Sequence, residues 1–211
     1  MATPAIFLDR DGVLNENYPT HVKSWSEFRF LPHTLNALRV LARVNVPIIV
    51  ITNQAIINRG SISANQVDEI HRRMVARIRA ARGRVDRVYL CPHRQDERCN
   101  CRKPAPGMLL RAAEELDIDL TRSVLVGDAI TDVIAGQRAG CGTILVQTGR
   151  GLNACDELYS GAAGFPDAIV GDLYQAIPSI VEVLDRRSNS RHPVLVVGDQ
   201  LELLDNGLLD Q

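Results

Sequence analysis

The chain has 211 residues, 45% of them hydrophobic and 23% charged, with a formal net charge of −1. That length allows one domain with a substantial core, and the near-neutral charge gives no bulk attraction to nucleic acid or a membrane surface. No apolar run approaches the ~18 residues that span a bilayer. The start, "MATPAIFLDRDG", lacks the basic stretch and long apolar core of a signal peptide, so a cytoplasmic protein with reduced thiols is expected.

In chain order, "AIFLD" (5–9) reads as a short buried strand ending in an acid, and "HTLNALRVLARV" (33–44) as a helix opened by Pro32. "VPIIVIT" (46–52) is a β-branched strand. The stretch 63–83 is a helix with Ser63 as N-cap, Gln66 three residues on, and Val67, Ile70, Met74 and Ile78 on one face. "VDRVYLC" (85–91) is a third strand and 105–118 a helix with Pro106 in its first turn. "SVLVGD" (123–128), "ITDVIAGQRAG" (130–140) and "GTILVQT" (142–148) read as strand, helix and strand. "DAIV" (167–170) and 172–184 supply a last strand and a helix that Pro178 leaves kinked or late-starting. This alternation predicts an α/β fold: a Rossmann-like three-layer sandwich with a mostly parallel central sheet. It forms one domain over 1–187, followed by a tail over 188–211 with a linker and a possible edge strand.

Ligands bind outside the carboxyl ends of strands in such sheets. Asp9 and Asp11 follow the first strand, Thr52 and Asn53 end the second, Asp128 ends the fourth, and Lys103 follows the third through a loop. Three carboxylates, a hydroxyl and a lysine on one rim suit magnesium-assisted phosphoryl chemistry, with hard oxygen ligands for the ion and an ammonium for phosphate oxygens. Within the loop, Cys91-x-His93-x5-Cys99-x-Cys101 offers four soft or borderline ligands. A Cys₃His set is a closed tetrahedral zinc site, structural because no position remains for a reactive water. Arg102 and Lys103 follow Cys101 directly, so the metal would pin a loop carrying two cations.

"FLDRDGVLN" (7–15) resembles the first motif of the haloacid dehalogenase (HAD) superfamily; "VITN" (50–53), Lys103 and "VGDAITD" (126–132) resemble the second, third and fourth. The resemblance implies a capless core in which Asp9 is the nucleophile and forms an aspartyl-phosphate. Asp11 then serves as acid and base, and Thr52 and Lys103 hold the phosphoryl oxygens. Mg²⁺ would be held by Asp9, the Asp11 backbone carbonyl and Asp128. Asp132 would orient Lys103 or a metal-bound water, or simply lie on its helix surface. A zinc loop running into "CRKP" is similar to that of the D-glycero-D-manno-heptose 1,7-bisphosphate phosphatases and their histidinol-phosphatase relatives. By that likeness the substrate is a small phosphorylated metabolite, first a sugar bisphosphate losing its C7 phosphate. Arg102 would recognise the second phosphate, and Asn17, Tyr18, Pro19, Thr20 and Asn53 would border the substrate. The chain departs from these relatives at Ala55 and Ile56, where Ser and Gly are usual, at Ala129, where Lys or Arg is common, and at Val13, where much of the superfamily has Thr.

The rival readings are a histidinol-phosphate or other monophosphate enzyme and, in another class, an idle scaffold that keeps the fold and zinc loop. The scaffold reading would predict loss of at least one of Asp9, Asp11, Lys103 or Asp128, and all are present. The arginine-rich stretch 71–84 has no aromatic residue to stack bases, so it reads as a solvated helix face rather than a nucleic-acid site. His21, His33, His71 and His192 read as structural, and Cys141 and Cys155 as small buried hydrophobes. Trp25 would either cover the pocket or pack the first helix. Neither nucleic acid nor membrane is an expected partner, and a monomer is favoured.

Overall fold

The computed structural model describes residues 2–187. The tail read as a linker and possible edge strand (188–211) lies outside the described residues. Six strands, β1 (Ile6–Leu8), β2 (Ile48–Asn53), β3 (Arg87–Cys91), β4 (Val124–Gly127), β5 (Gly142–Val146) and β6 (Ala168–Val170), form one sheet in the order β3-β2-β1-β4-β5-β6. Every neighbouring pair is parallel. The chain therefore runs outward from β1 through β2 to β3, then crosses back to β4 on the other flank, which places the switch point between β1 and β4.

Among the described residues six helices cover the two faces: α1 (Thr34–Leu41), α2 (Ala64–Ala80), α3 (Gly107–Leu116), α4 (Ile130–Ala139), α5 (Gly151–Tyr159) and α6 (Ile177–Arg187). Successive strand residues point to opposite faces, and the core divides accordingly. Ile6, Leu8, Val50 and Val126 pack under α1, α2 and α6, beside Leu38, Met74 and Ile180. Phe7, Ile49, Ile51 and Leu125 pack under α3 and α4 with Leu109, Ala112 and Ala135. Leu145 packs with Val133 of α4 and Ala154 and Leu158 of α5. Ser63 and Gln66 close the capping box expected for α2. α6 starts at Ile177, so Pro178 lies in the first turn, the place where a missing N–H costs least.

α5 is not foreseen by the sequence pattern, since "GLNACDELY" buries only Gly151, Ala154 and Leu158 and carries no long apolar stripe. Trp25 does not line the cavity of the site described below, and packs instead against the core cluster that includes Leu38 and Leu41 of α1. It stacks on Phe28 with ring centroids 5.1 Å apart, under the Arg73 guanidinium of α2. Among the described residues no helix is long and apolar enough to cross a membrane, and no further domain interrupts the element order.

Candidate active site

Strand register brings the acidic residues together. Leu8 is level with Val50 of β2 and with Val126 of β4, so Asp9 and Asp128 leave adjacent strands at the same rim, tied by Asp9 N–H donating to the Val126 carbonyl at 2.9 Å. Lys103 returns to that rim from the loop after β3. Its ammonium lies 2.8 Å from Asp9 Oδ1 and 2.6 Å from Asp132 Oδ1, and donates to the Ile51 carbonyl at 3.2 Å. Asp132 is buried, with Oδ2 accepting from the Ala129 N–H at the start of α4. Of the roles open to it from sequence, holding Lys103 is the one its contacts match.

Carboxylate oxygens of Asp9, Asp128 and Asp132 lie within 4.8 Å of one another. Burial raises the Asp9 pKa above the ordinary carboxylate range, and the charges of Asp132 and Asp128 add to it despite the pull of Lys103. Burial and Asp132 likewise push Asp128 up to about 6, against the Arg150 N–H that donates to its Oδ2 at 2.8 Å. Burial disfavours the Lys103 charge, but Asp132 and Asp9 outweigh it and raise the Lys103 pKa. Three buried carboxylates against one ammonium leave an excess of negative charge in low dielectric, which a divalent cation would neutralise. The donor set, all hard oxygens, fits magnesium.

Two glycines make room for Asp128. Gly12 (φ +89°) and Gly149 (φ +59°) each approach so closely that an added Cβ would lie 1.9 Å and 2.1 Å from Asp128 Oδ2. The loops bearing them are joined by Thr148 Oγ1 donating to the Gly12 carbonyl at 2.6 Å.

The Asp11 side chain does not join this cluster. It is held by Arg10, whose Nε and Nη2 reach it at 3.3 and 2.9 Å, by Asn15 Nδ2 at 2.9 Å and by Gln54 Nε2 at 2.7 Å. Burial would raise its pKa, but Arg10, Asn15 and Gln54 outweigh burial and lower it. Gln54 Nε2 also donates to Thr52 Oγ1 at 2.8 Å, which leaves the Thr52 hydroxyl hydrogen available to a ligand oxygen. Arg10, Asn15 and Gln54 were not singled out from sequence. Their positions inside or beside two motifs were the available signal.

Asp9, Asp11, Thr52, Lys103 and Asp128 line a cavity of about 450 Å³ that also carries Arg94, Arg98, Arg102, Arg138 and Arg150, a size typical of small-molecule sites. Of the segment expected to border a substrate, Asn17 lines the cavity and donates to Asp128 Oδ2 at 3.3 Å. Tyr18, Pro19 and Thr20 do not line it. The turn closed by His21 N–H on the Tyr18 carbonyl leaves Pro19 and Thr20 exposed, directs the Tyr18 hydroxyl to Glu16, and brings His21 to the wall. Asn53 reaches the wall but spends its amide on the Lys103 backbone, donating to its carbonyl and accepting from its N–H, both at 3.1 Å. Ala55 and Ile56 are buried and do not line the cavity, whereas Ala129 does.

In the loop after β3, Cys91, His93, Cys99 and Cys101 present three Sγ atoms and one ring nitrogen within 4.8 Å of one another. His93 Nδ1 is 3.2 Å from Cys101 Sγ and 3.5 Å from Cys91 Sγ. Four such donors around one point fit a tetrahedral zinc set. Burial works against the Cys99 thiolate, but the Arg102 N–H and its neighbours outweigh it and bring the pKa down to about 7, whereas burial raises the Cys91 and Cys101 thiols, so a bound cation would have to draw off their protons. Arg102 lines the cavity and donates to the His93 carbonyl at 3.2 Å.

Residues 100–176 match the "HAD-hyrolase-like" family. The chain is 40% identical over 146 residues to D-glycero-beta-D-manno-heptose-1,7-bisphosphate 7-phosphatase of Bordetella bronchiseptica, covering 69% of this chain and 82% of the relative. It is 37% identical over 181 residues to the Yersinia pestis enzyme of the same name, covering 80% and 96%. Among solved structures, the B. bronchiseptica D,D-heptose 1,7-bisphosphate phosphatase complexed with magnesium and phosphate superimposes with a TM-score of 0.78 at 34% identity, covering 85% of this chain and 99% of that one. The Burkholderia thailandensis D,D-heptose 1,7-bisphosphate phosphatase gives a TM-score of 0.61 at 29% identity, covering 88% and 99%. This chain is therefore a HAD-like phosphatase and belongs to the family of the D-glycero-beta-D-manno-heptose-1,7-bisphosphate 7-phosphatases.

Proposed function

We propose that this phosphatase removes the C7 phosphate of D-glycero-beta-D-manno-heptose 1,7-bisphosphate and leaves heptose 1-phosphate, working in the cytoplasm. The observation that carries the reading is the meeting of Asp9, Asp128 and Lys103 at the floor of an arginine-lined cavity. It is supported by the identity to enzymes of that name over most of their length.

Asp9 attacks the phosphorus in line through a carboxylate oxygen, forming an acyl phosphate on its Cγ carboxyl while the sugar oxygen leaves. Asp11 gives that oxygen its proton, then takes one from the water that hydrolyses the aspartyl-phosphate, so each turnover returns both residues to their starting state. Arg10, Asn15 and Gln54 keep Asp11 ionised in the resting site. As the phosphate dianion binds it raises the proton affinity of Asp11, which takes a proton from solvent for the first step; the proton later gained from the attacking water is given up as phosphate leaves, which restores the ionised state. Thr52 Oγ donates to a phosphoryl oxygen, and Lys103 balances charge spreading over the transferring group. Asp9, the Asp11 carbonyl and Asp128 would hold Mg²⁺, which supplies the positive charge that lets a carboxylate approach a phosphate. Arg102 grips the phosphate that does not react, and Asn17 lies beside the sugar. Cys91, His93, Cys99 and Cys101 would hold zinc, which would fix the loop ending in Arg102 and Lys103. The domain spans residues 1–187.

A phosphate-release screen with Mg²⁺ over both heptose 1,7-bisphosphate anomers, histidinol phosphate and simple sugar monophosphates tests the reading. The beta anomer should give the highest kcat/KM. Equal or faster turnover of histidinol phosphate would overturn the substrate, and no turnover of any ester would overturn the chemistry.

A further inference from the structure

Arg10 stands between the two acids of the first motif, yet its side chain is fully buried and does not line the cavity. A buried guanidinium needs an acceptor for its donors, since each unpaired group forfeits its hydration without return. Asp11 takes Nε and Nη2, and Nη1 points the other way, 2.9 Å from His71 Nε2 on α2. Arginine only donates, so His71 Nε2 is the acceptor and the ring hydrogen sits on Nδ1. A protonated ring there would set two cations side by side in the interior. Burial and the Arg10 charge accordingly depress the His71 pKa, to about 3.

His71 is also out of place by the rule that builds its helix. The other buried positions of α2 are Val67, Ile70, Met74 and Ile78, an apolar stripe in which Leu would pack without any polar cost. The residue is 6% exposed and does not line the active-site cavity, which keeps it out of contact with substrate.

We propose that His71 is a positioning residue for Asp11: through its hydrogen bond to Arg10 it fixes the guanidinium that clamps the Asp11 carboxylate. The inference rests on the reading of Asp11 as acid and base. Without the acceptor, Arg10 must turn Nη1 toward another partner and its two-armed grip on Asp11 loosens. Asn15 and Gln54 still hold the carboxylate, so the result is a misplaced acid rather than a missing one.

A misplaced acid has a signature that general damage lacks. Departure of an alkoxide needs the proton from Asp11, whereas p-nitrophenolate leaves with little help. The readout is kcat/KM, which reports the step in which the ester bond breaks, for p-nitrophenyl phosphate and for the alkyl phosphate best turned over in the substrate screen. His71→Leu should lose about tenfold or more on the alkyl ester and under about threefold on the nitrophenyl ester, in keeping with the cost of an ångström-scale misplacement. His71→Gln, whose side-chain carbonyl can accept from Arg10, should regain most of the alkyl activity. His71→Asn, polar but a methylene shorter, should behave like the leucine variant, and it serves if that variant does not fold. Equal losses on both esters, or no loss on either, would overturn the assignment while leaving an active phosphatase. Absence of turnover by the unaltered enzyme would instead sink the phosphatase chemistry and the inference with it.

Discussion

Gly12→Ala tests how tightly the fold holds Asp128. The new Cβ would lie 1.9 Å from Asp128 Oδ2 and 2.3 Å from its Cγ, where ordinary contact begins near 3.4 Å. The carboxylate must retreat by about 1.5 Å, or the loop must open, and the neighbouring Gly149 is packed just as closely against the same oxygen. A displacement of that size typically costs on the order of 100-fold in rate, so kcat/KM should fall at least about 100-fold and the Mg²⁺ needed for half-maximal activity should rise. The left-handed backbone adds a separate cost of about 1–2 kcal/mol for any L side chain, which lowers Tm by roughly 2–8 °C in a domain of this size. Gly60→Ala separates the two effects, because Gly60 also has positive φ (+71°) but nothing within 4 Å of an added Cβ. It should lose stability and keep its activity. The assays are phosphate release across a Mg²⁺ titration and thermal unfolding of both variants. If Gly12→Ala keeps wild-type kcat/KM and Mg²⁺ dependence, Asp128 is not the confined ligand that the geometry implies.

Other outcomes follow from single contacts. Arg102→Ala should reduce kcat/KM far more for a sugar bisphosphate than for the matching monophosphate, and equal losses would remove its role in gripping a second phosphate. A strong zinc chelator should release about one zinc per chain and lower Tm, since metal binding at such sites is folding free energy; protein purified without zinc yet equally stable would contradict this. His71 carries a depressed pKa, about 3 in the folded chain against the ordinary 6.5 of an imidazole. The unfolded chain therefore binds the extra proton first as pH falls, and the stability present above pH 6.5 is lost on acidification toward pH 3. Between pH 6.5 and 5 the unaltered protein should lose about 1.6 kcal/mol more than His71→Gln. Parallel stability curves for the two would show that His71 is not held neutral.

Much of the fold was legible because the signals agree with one another. β-branched runs at 46–52, 123–128 and 142–148 alternate with helical stripes, and parallel pairing follows from that alternation. The acids at strand ends were legible for the same reason, as register alone carries Asp9 and Asp128 to one rim. What escaped notice depends on contacts between distant segments. Nothing local marks Gly149 as packing against Asp128, or His71 as the partner of Arg10, which lies 61 residues away. Family likeness places Tyr18, Pro19 and Thr20 at the pocket, but none of them lines the cavity: a turn of four residues leaves Pro19 and Thr20 exposed and Tyr18 half-buried against the core. α5 was missed because a helix held by Gly151, Ala154 and Leu158 buries too little apolar surface to leave a periodic mark.

The central claim is that Asp9 carries the phosphoryl group between substrate and water. Rapid acid quench during turnover, followed by mass spectrometry of the peptide containing Asp9, reads this directly. The account predicts one added PO₃H on Asp9, lost again as substrate runs out and absent from Asp9→Asn. A peptide that stays unmodified during turnover, or an Asp9→Asn variant that still releases phosphate at the wild-type rate, would contradict it.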